Sequence, residues 1–265
     1  FCSSGALDFH IMTRGTLDGD KLRMDRVTIT QLSPKTASAR PLTRTHEQII
    51  ASLASIPSRE KVLQDVIESL YHQVDEIRVF LNGYEDIPHF LTDRDKVVVE
   101  RSQIWGDNGD AGKFFWADDD TPGYRLVCDD DIIYPPDYAE QMINTLSHYE
   151  NKVVVGLHGI TLKQPLTEYY KAEARYVTHY RHGNDLDYTC HVLGTGAVAY
   201  HTDGISVSAK DFAFRNMADI WLAKLAQEQH VPMLCLSRPH NWVMPQPEVV
   251  DHSIYRHSSE KMNSL

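Results

Sequence analysis

Asp129-Asp130-Asp131-Ile132-Ile133-Tyr134-Pro135-Pro136 is the stretch on which the reading of this chain turns. Directly before it, Tyr124-Arg125-Leu126-Val127-Cys128 reads as a short buried strand. Three carboxylates leaving such a strand together repel one another in a half-buried setting. A hard divalent cation bound through oxygen ligands removes that penalty. A solvated acidic turn is the plain alternative, but the preceding strand and the abrupt Pro-Pro stop favour a site. The chain supplies its own comparison in Asp118-Asp119-Asp120. That triple has no apolar strand before it and Thr121-Pro122-Gly123 after it, so it reads as a turn.

Outward from the acidic run, strand and helix patterns alternate. Ile49-Ile50-Ala51-Ser52-Leu53-Ala54 is a continuous apolar run, as expected of a strand covered on both faces. Pro57 and Ser58 break it, with Ser58 a candidate N-cap. Val62, Leu63, Val66, Ile67, Leu70 and Val74 then recur at helical spacing. Further strands are expected over 77–81, 97–99, 153–157, 197–200 and 233–236, and helices over 136–149 and 217–229. This alternation predicts an α/β fold, a mostly parallel sheet flanked by helices. Ligands of such sheets bind outside the carboxyl ends of the strands, where Ser55, Asn82 and Asp129 to Asp131 are expected to meet. There is no internal repeat.

Composition narrows the function. At 265 residues and 42% hydrophobic, the chain can bury one large core. Its 37 acidic residues against 26 basic ones give a net charge of −11, which argues against a general nucleic-acid binder. A small anion held in a local basic pocket stays possible. Cys2, Cys128, Cys190 and Cys235 are widely spaced, with no CxxC pair, and fit a reducing cytosolic setting. No stretch approaches the ~20 apolar residues of a membrane span, and no signal peptide is evident. Residues 1–46 read as an N-terminal extension or the tail of a preceding domain. They carry one expected strand (26–31) and a Ser/Pro/Thr-rich linker (33–45). Residues 47–265 form the second unit.

Six segments then occur in order: ASLASIPSR (51–59), VFLNGYEDIP (79–88), DAGKF (110–114), DDDIIYPPDY (129–138), GLHG (156–159) and LGTG (193–196). The set resembles the bacterial α-N-acetylglucosaminyltransferases that build heparosan-type capsule polysaccharide, over roughly residues 48–245. The resemblance implies a GT-A glycosyltransferase with a Rossmann-like sheet and a DxD motif. It implies a UDP-sugar donor, UDP-N-acetylglucosamine first, with Mn²⁺ or Mg²⁺, and an α-linked product formed with retention. The acceptor implied is an oligo- or polysaccharide containing uronic acid. Other capsule-synthesis proteins or domains would be partners, and the location would be cytoplasmic or peripheral at the inner face of the membrane.

By the same resemblance, Asp131 is the direct metal ligand, Asp129 contacts the ribose or the metal, and Asp130 orients the donor sugar. Ser55, Pro57 and Arg59 follow the first strand, where the family binds uridine and diphosphate; a solvated first-turn residue is the alternative for Arg59. Asn82 faces the base or ribose, or else is a turn residue before Gly83. In residues 106–114, Asp110 and Lys113 sit in a Gly-rich loop that lets backbone approach a ligand, and a mobile loop is the plain reading. His158 lines the sugar pocket or is structural. Gly194 and Thr195 bring backbone N–H groups near sugar or phosphate, or form a tight turn. Asp219 touches acceptor or donor sugar, and is the base candidate if the reaction inverts; with Asn216 it also reads as a capping box. His240 departs from the capsule family, but matches the late histidine that many GT-A enzymes use as a further metal ligand; an exposed loop residue is the alternative. Arg175, His179, Arg181 and His182 form a basic strip that either meets an acidic acceptor or is a solvated loop. The alternatives are a glycosyltransferase with another donor or an inverting outcome, a nucleotidyltransferase, and a non-catalytic nucleotide-sugar-binding module.

Overall fold

A computed structural model describes residues 8–18, 21–32, 47–164, 169 and 171–246. The chain opens with an antiparallel hairpin, β1 (Asp8–Asp18) and β2 (Lys21–Leu32). The strand expected over 26–31 lies inside β2, whereas its partner was not expected. The apolar alternation of Phe9, Ile11 and Leu17 is diluted by Thr13 and Gly15, where the register also shifts. Cys2 and the whole of the expected linker (33–45) lie outside the described residues.

The α/β alternation then holds. In chain order the elements are β3 (Gln48–Ser55), α1 (Glu60–Tyr71), β4 (Glu76–Leu81), α2 (His89–Thr92), β5 (Val97–Arg101), α3 (Ser102–Trp105), β6 (Gly123–Cys128) and β7 (Ile132–Ile133). There follow α4 (Tyr138–His148), β8 (Val154–Gly156), β9 (Gly159–Leu162), β10 (Arg175–Thr178), β11 (Tyr188–Cys190), β12 (Val192–Leu193), β13 (Ala197–His201), α5 (Ala218–Glu228), β14 (Met233–Cys235) and β15 (Met244–Pro245). Eight strands form the central sheet in the order β5-β4-β3-β6-β13-β8-β14-β11. The pairs from β5 to β6 are parallel, as is β8 with β14, while β13 runs against both its neighbours and β11 against β14. A three-stranded sheet, β10-β9-β12, and a ribbon, β7-β15, sit beside it.

Burial on both faces keeps β3 and β6 mostly apolar, with Ser52 and Arg125 as buried polar exceptions. All six residues of β6 are buried, as are Ile50, Ala51, Ser52 and Leu53 of β3. One face is covered by α1 and α4 through Leu63, Val66, Ile67, Leu70, Met142 and Leu146. The other is covered by α5 through Ala218, Leu222, Leu225 and Ala226. Each fully buried aliphatic side chain contributes about 1.5–3 kcal/mol relative to exposure. Ser58 does not cap α1. A 3₁₀ turn, Pro57–Arg59, leads into the helix, and the Arg59 N–H bonds the Ile56 carbonyl at 2.9 Å. Proline pre-sets this turn, so the helix starts without a side-chain cap. Among the described residues no helix is long and apolar enough to cross a membrane.

This topology fixes where a ligand can sit. From β3 the chain steps outward to β4 and β5, then returns to place β6 on the other side of β3. The strand order therefore reverses between β3 and β6, and the crevice outside their carboxyl ends is the switch point where α/β sheets bind ligands.

Candidate active site

Ser55, Asn82 and the acidic run stand together at that edge, as expected from the strand ends. The Asn82 N–H donates to the Ser55 carbonyl at 2.8 Å. The Asp129 N–H is shared between the Gly196 carbonyl at 3.1 Å and the Tyr134 hydroxyl at 2.8 Å, and that hydroxyl also bonds the Gly196 carbonyl. Tyr134 thus locks the turn carrying the aspartates to the entry of β13. A Cβ at Gly196 would lie 2.1 Å from Asp129 Oδ2, so a side chain there would force that carboxylate to turn. Ser55 Oγ lies 3.2 Å from the Tyr84 hydroxyl, and Pro57 lies exposed in the 3₁₀ turn that delivers Arg59.

Two cations meet the acidic run. Arg59 Nη1 reaches Asp130 Oδ1 at 2.5 Å and Nη2 reaches Asp131 Oδ2 at 3.2 Å. Lys113 Nζ pairs with Asp129 Oδ1 and lies 3.4 Å from the Thr195 carbonyl. Asp110 and Asp219 complete a group of five aspartates around these two cations, and both act electrostatically on Lys113. The compensation is incomplete. Asp130 Oδ2, Asp110 Oδ1 and Arg59 Nε are buried without partners. Burial pushes Asp110, Asp130 and Asp219 above the usual carboxylate range, against the pull of Lys113 on Asp110, of Arg59 on Asp130 and of Thr195 on Asp219. Burial, with Asp129 alongside, takes Asp131 up to about 7. Burial opposes the charge on Lys113, but Asp129 and Asp110 outweigh it and raise the lysine.

The donor set tests whether a metal fits. Among the described residues no group of three His, Cys, Asp or Glu side chains is placed to cage an ion. A hard cation of the Mg²⁺ class does not need such a cage: one or two carboxylates hold it, and water and substrate phosphates fill the other positions. Asp129 and Asp131, with 38% and 22% of their side chains exposed, offer that kind of open, all-oxygen set. His240 is an exposed residue whose ring stacks on His182, centroids 6.1 Å apart and planes 9° apart.

Asp219 is held by a different device from the capping box expected of it. Asn216 has φ of +58° and supplies no cap; the residue before α5 is Met217, without a side-chain bond to the helix. Asp219 Oδ1 instead accepts from both the Thr195 N–H (2.7 Å) and the Thr195 hydroxyl (2.6 Å). The N-terminus of α5 is closed from afar by Asp110, whose Oδ2 accepts the Ala218 N–H at 3.1 Å. An acid 108 residues away is a better cap here because Asn216 is turned into the left-handed region, with its side chain toward the Asp110 N–H at 3.4 Å.

Residues 106–114 are anchored. A 3₁₀ segment, Gly109–Phe114, buries Gly112, Lys113 and Phe114. Asn82 pins it, donating to the Gly109 carbonyl at 2.9 Å and accepting the Asn108 N–H at 3.2 Å. Both ends of the Asn82 amide are thereby used. Gly112 lies against Phe80, where a Cβ would approach to 2.6 Å.

His158 packs against Gly194, whose N–H bonds its carbonyl at 2.8 Å. Burial, reinforced by Arg175 and Arg238, lowers His158 to about 4. Its ring begins a series that passes to His179 at 5.3 Å and from His179 to His182 at 5.7 Å. The basic strip is thus an organised wall whose support, Arg238, was not foreseen. Arg238 is buried and donates to the carbonyls of Leu157, His179, Tyr180 (3.1 Å) and Leu236 (2.6 Å). Tyr84, Tyr134 and Tyr180 also border the site unforeseen, although Tyr84 and Tyr134 lie inside the segments that carried the family resemblance. The second acidic triple is the turn expected, tied down by Asp119. Burial opposes ionisation of Asp119, but bonds from Thr121 and the 2.5 Å pair with Arg78 bring it down to about 2.

Among solved structures, the chain is similar to GalNAc-T7, determined with UDP, GalNAc and Mn²⁺. The TM-score is 0.50 at 8% identity, covering 75% of this chain and 45% of that one. It is also similar to glucosyl-3-phosphoglycerate synthase from Mycobacterium tuberculosis, determined with Mn²⁺, UDP-glucose and phosphoglyceric acid, at TM-score 0.34 and 21% identity over 42% of this chain and 43% of that one. A nucleotidyl transferase from Methanothermobacter thermautotroptrophicus follows at TM-score 0.46 and 12% identity, over 72% and 88%. The chain therefore spans less than half the length of the first two. The likeness to GalNAc-T7 shows a shared fold, the Rossmann-like α/β arrangement of GT-A enzymes. No family model and no curated protein matches the chain.

Proposed function

We propose that the chain is a glycosyltransferase that takes its sugar from a nucleoside diphosphate sugar with the help of a divalent cation, Mn²⁺ or Mg²⁺. One observation carries this reading: five aspartates converge on two cations at the switch point of the sheet, leaving buried carboxylate oxygens without partners. A site with this excess of negative charge suits a ligand that arrives with positive charge. The divalent cation that accompanies a diphosphate brings that positive charge, and would supply charge neutralisation at the leaving phosphate. Asp129 and Asp131 would hold the cation. GalNAc-T7 holds UDP, GalNAc and Mn²⁺ on this fold; a fold does not fix an activity, so the weight rests on the aspartates.

The chain's own residues divide the remaining work. Asn82 holds residues 106–114 against the strand ends, keeping Lys113 beside Asp129. Thr195 fixes one oxygen of Asp219 with two donors and leaves Oδ2 outside these bonds, a rigid carboxylate for a sugar hydroxyl. UDP-N-acetylglucosamine as donor, α-linkage with retention and a uronic-acid-containing acceptor are supported by the six-segment resemblance. UDP-GlcNAc, UDP-Glc, UDP-GalNAc and UDP-GlcA titrated with Mn²⁺ and then EDTA test the reading. Binding of UDP-GlcNAc alone, lost in EDTA, is expected. Equal binding of all four removes the donor assignment, and no binding of any removes the glycosyltransferase.

A further inference from the structure

Lys113 and Arg59 stand on the oxygens that a bound cation would use. The Lys113 ammonium, on a side chain 4% exposed, pairs with Asp129 Oδ1, lies 3.4 Å from the Thr195 carbonyl and is held electrostatically by Asp110 and Asp219 as well. Arg59 spans Asp130 and Asp131 while its Nε has no partner, so the guanidinium is only partly satisfied. A cation on Asp129 or Asp131 would sit next to these positive charges, and like charges at that range repel. The residues that follow and precede Lys113 cannot relieve this by moving. Asn82 pins the start of the 109–114 segment, and Phe114 is buried, stacked on Phe212 with centroids 4.0 Å apart. The adjustment therefore falls to the Lys113 side chain, a point charge on a flexible four-carbon stem.

We propose that Lys113 and Arg59 are exchangeable internal counter-ions: each neutralises a carboxylate of the 129–131 run while the site lacks its cation, and each releases that carboxylate and offers its own charge to the anion that enters with the cation. The idea rests on the cation-and-nucleotide reading above and adds that the site is occupied by the protein's own charges. Cation and nucleotide then bind as a strongly coupled pair, each weak alone, because either one by itself leaves displaced charge uncompensated.

Two variants separate this from a merely structural pair. Lys113→Met keeps the apolar stem and removes the competitor for Asp129. It should bind Mn²⁺ alone about tenfold tighter than the unaltered protein, yet lose most of the strengthening that UDP gives to Mn²⁺ binding. Asp129→Asn frees Lys113, and should bind UDP in EDTA about tenfold tighter than the unaltered protein. Calorimetric titration of Mn²⁺, of UDP and of both reads all of these, with a thermal melt confirming the fold. If the unaltered protein binds Mn²⁺ with UDP but Lys113→Met binds Mn²⁺ alone no better, the exchange is overturned and the wider reading stands. If the unaltered protein binds neither, both fall together. Should Lys113→Met not fold, Asp129→Asn decides, and unchanged UDP affinity in EDTA overturns the proposal.

Discussion

Gly196→Ala tests the carboxylate geometry most directly. The added methyl would lie 2.1 Å from Asp129 Oδ2 and 2.7 Å from its Cγ, against about 3.5 Å for an unstrained contact. The backbone cannot yield easily, since the Asp129 N–H is bonded to the Gly196 carbonyl at 3.1 Å and to Tyr134 at 2.8 Å. The Asp129 side chain must therefore rotate, and its pair with Lys113 breaks. With 38% of the Asp129 side chain exposed, that pair is solvent-screened and contributes about 0–1 kcal/mol. An off-rotamer carboxylate adds about 1 kcal/mol. A total of about 1–2 kcal/mol corresponds to a fall in Tm of about 2–8 °C for a chain of this size. Binding suffers to a similar degree, because Asp129 is one of two carboxylates offered to the cation. UDP affinity in Mn²⁺ should fall about tenfold or more, equivalent to about 1.4 kcal/mol. The assay is calorimetric titration of UDP with Mn²⁺, paired with a thermal melt. Affinity within about twofold of the unaltered protein, at unchanged Tm, would show that the orientation of Asp129 has no part in binding.

Three other expectations follow from the same geometry. Asp131, taken up to about 7 by burial and Asp129, has a folded-state value above its ordinary 3.8. Its stabilising contribution is thus complete below that ordinary value and is lost as pH rises through about 7. Cation-free protein should melt higher near pH 5.5 than near pH 8, and Asp131→Asn should flatten that slope; parallel slopes would rule the carboxyl out as its source. Thr195→Val keeps the N–H bond to Asp219 and deletes the hydroxyl bond. It should cost about 1–2 kcal/mol of stability and slow turnover with donor Kd unchanged; intact turnover would remove Asp219 from the chemistry. Asp110→Ala strips α5 of its distant cap, at about 1 kcal/mol. Amide exchange at Ala218 should speed up accordingly, and an unaltered exchange rate would show that the 3.1 Å bond carries no weight.

What could be read in the sequence was what short-range pattern determines. Largely apolar runs give β3 and β6, and helical spacing from Val62 to Leu70 gives α1, because burial on two faces or on one stripe leaves a direct mark on composition. The meeting of Ser55, Asn82 and Asp129 followed from parallel strands ending on one edge. What escaped was long-range. The antiparallel course of β13 leaves no mark on Ala197–His201, since a strand buried on both faces reads the same in either direction. The cap from Asp110 to Ala218 spans 108 residues. The local rule for Asn216 and Asp219 pointed to a capping box, and lost to Thr195, which offers Asp219 two donors at once. Ser58 failed as a cap for the opposite reason: the 3₁₀ turn already closes through backbone bonds.

The order of these energies explains how an electrostatically incomplete site can persist. The aspartates sit where β3, β6 and β13 are already fixed by Leu53, Leu126, Val127 and Val198, all at most 2% exposed, and each such side chain contributes about 1.5–3 kcal/mol. A few unmatched charges cost less than that framework supplies. The cost is concentrated in carboxylates that a ligand's positive charge can satisfy, so the same imbalance that lowers stability favours binding. Asp118-Asp119-Asp120 shows the other case. There Thr121 and Arg78 draw Asp119 below the usual carboxylate range, leaving little for a cation to gain. Two triples of identical composition thus differ in what surrounds them: one is satisfied within the fold, and the other is left with carboxylate oxygens for a ligand to complete.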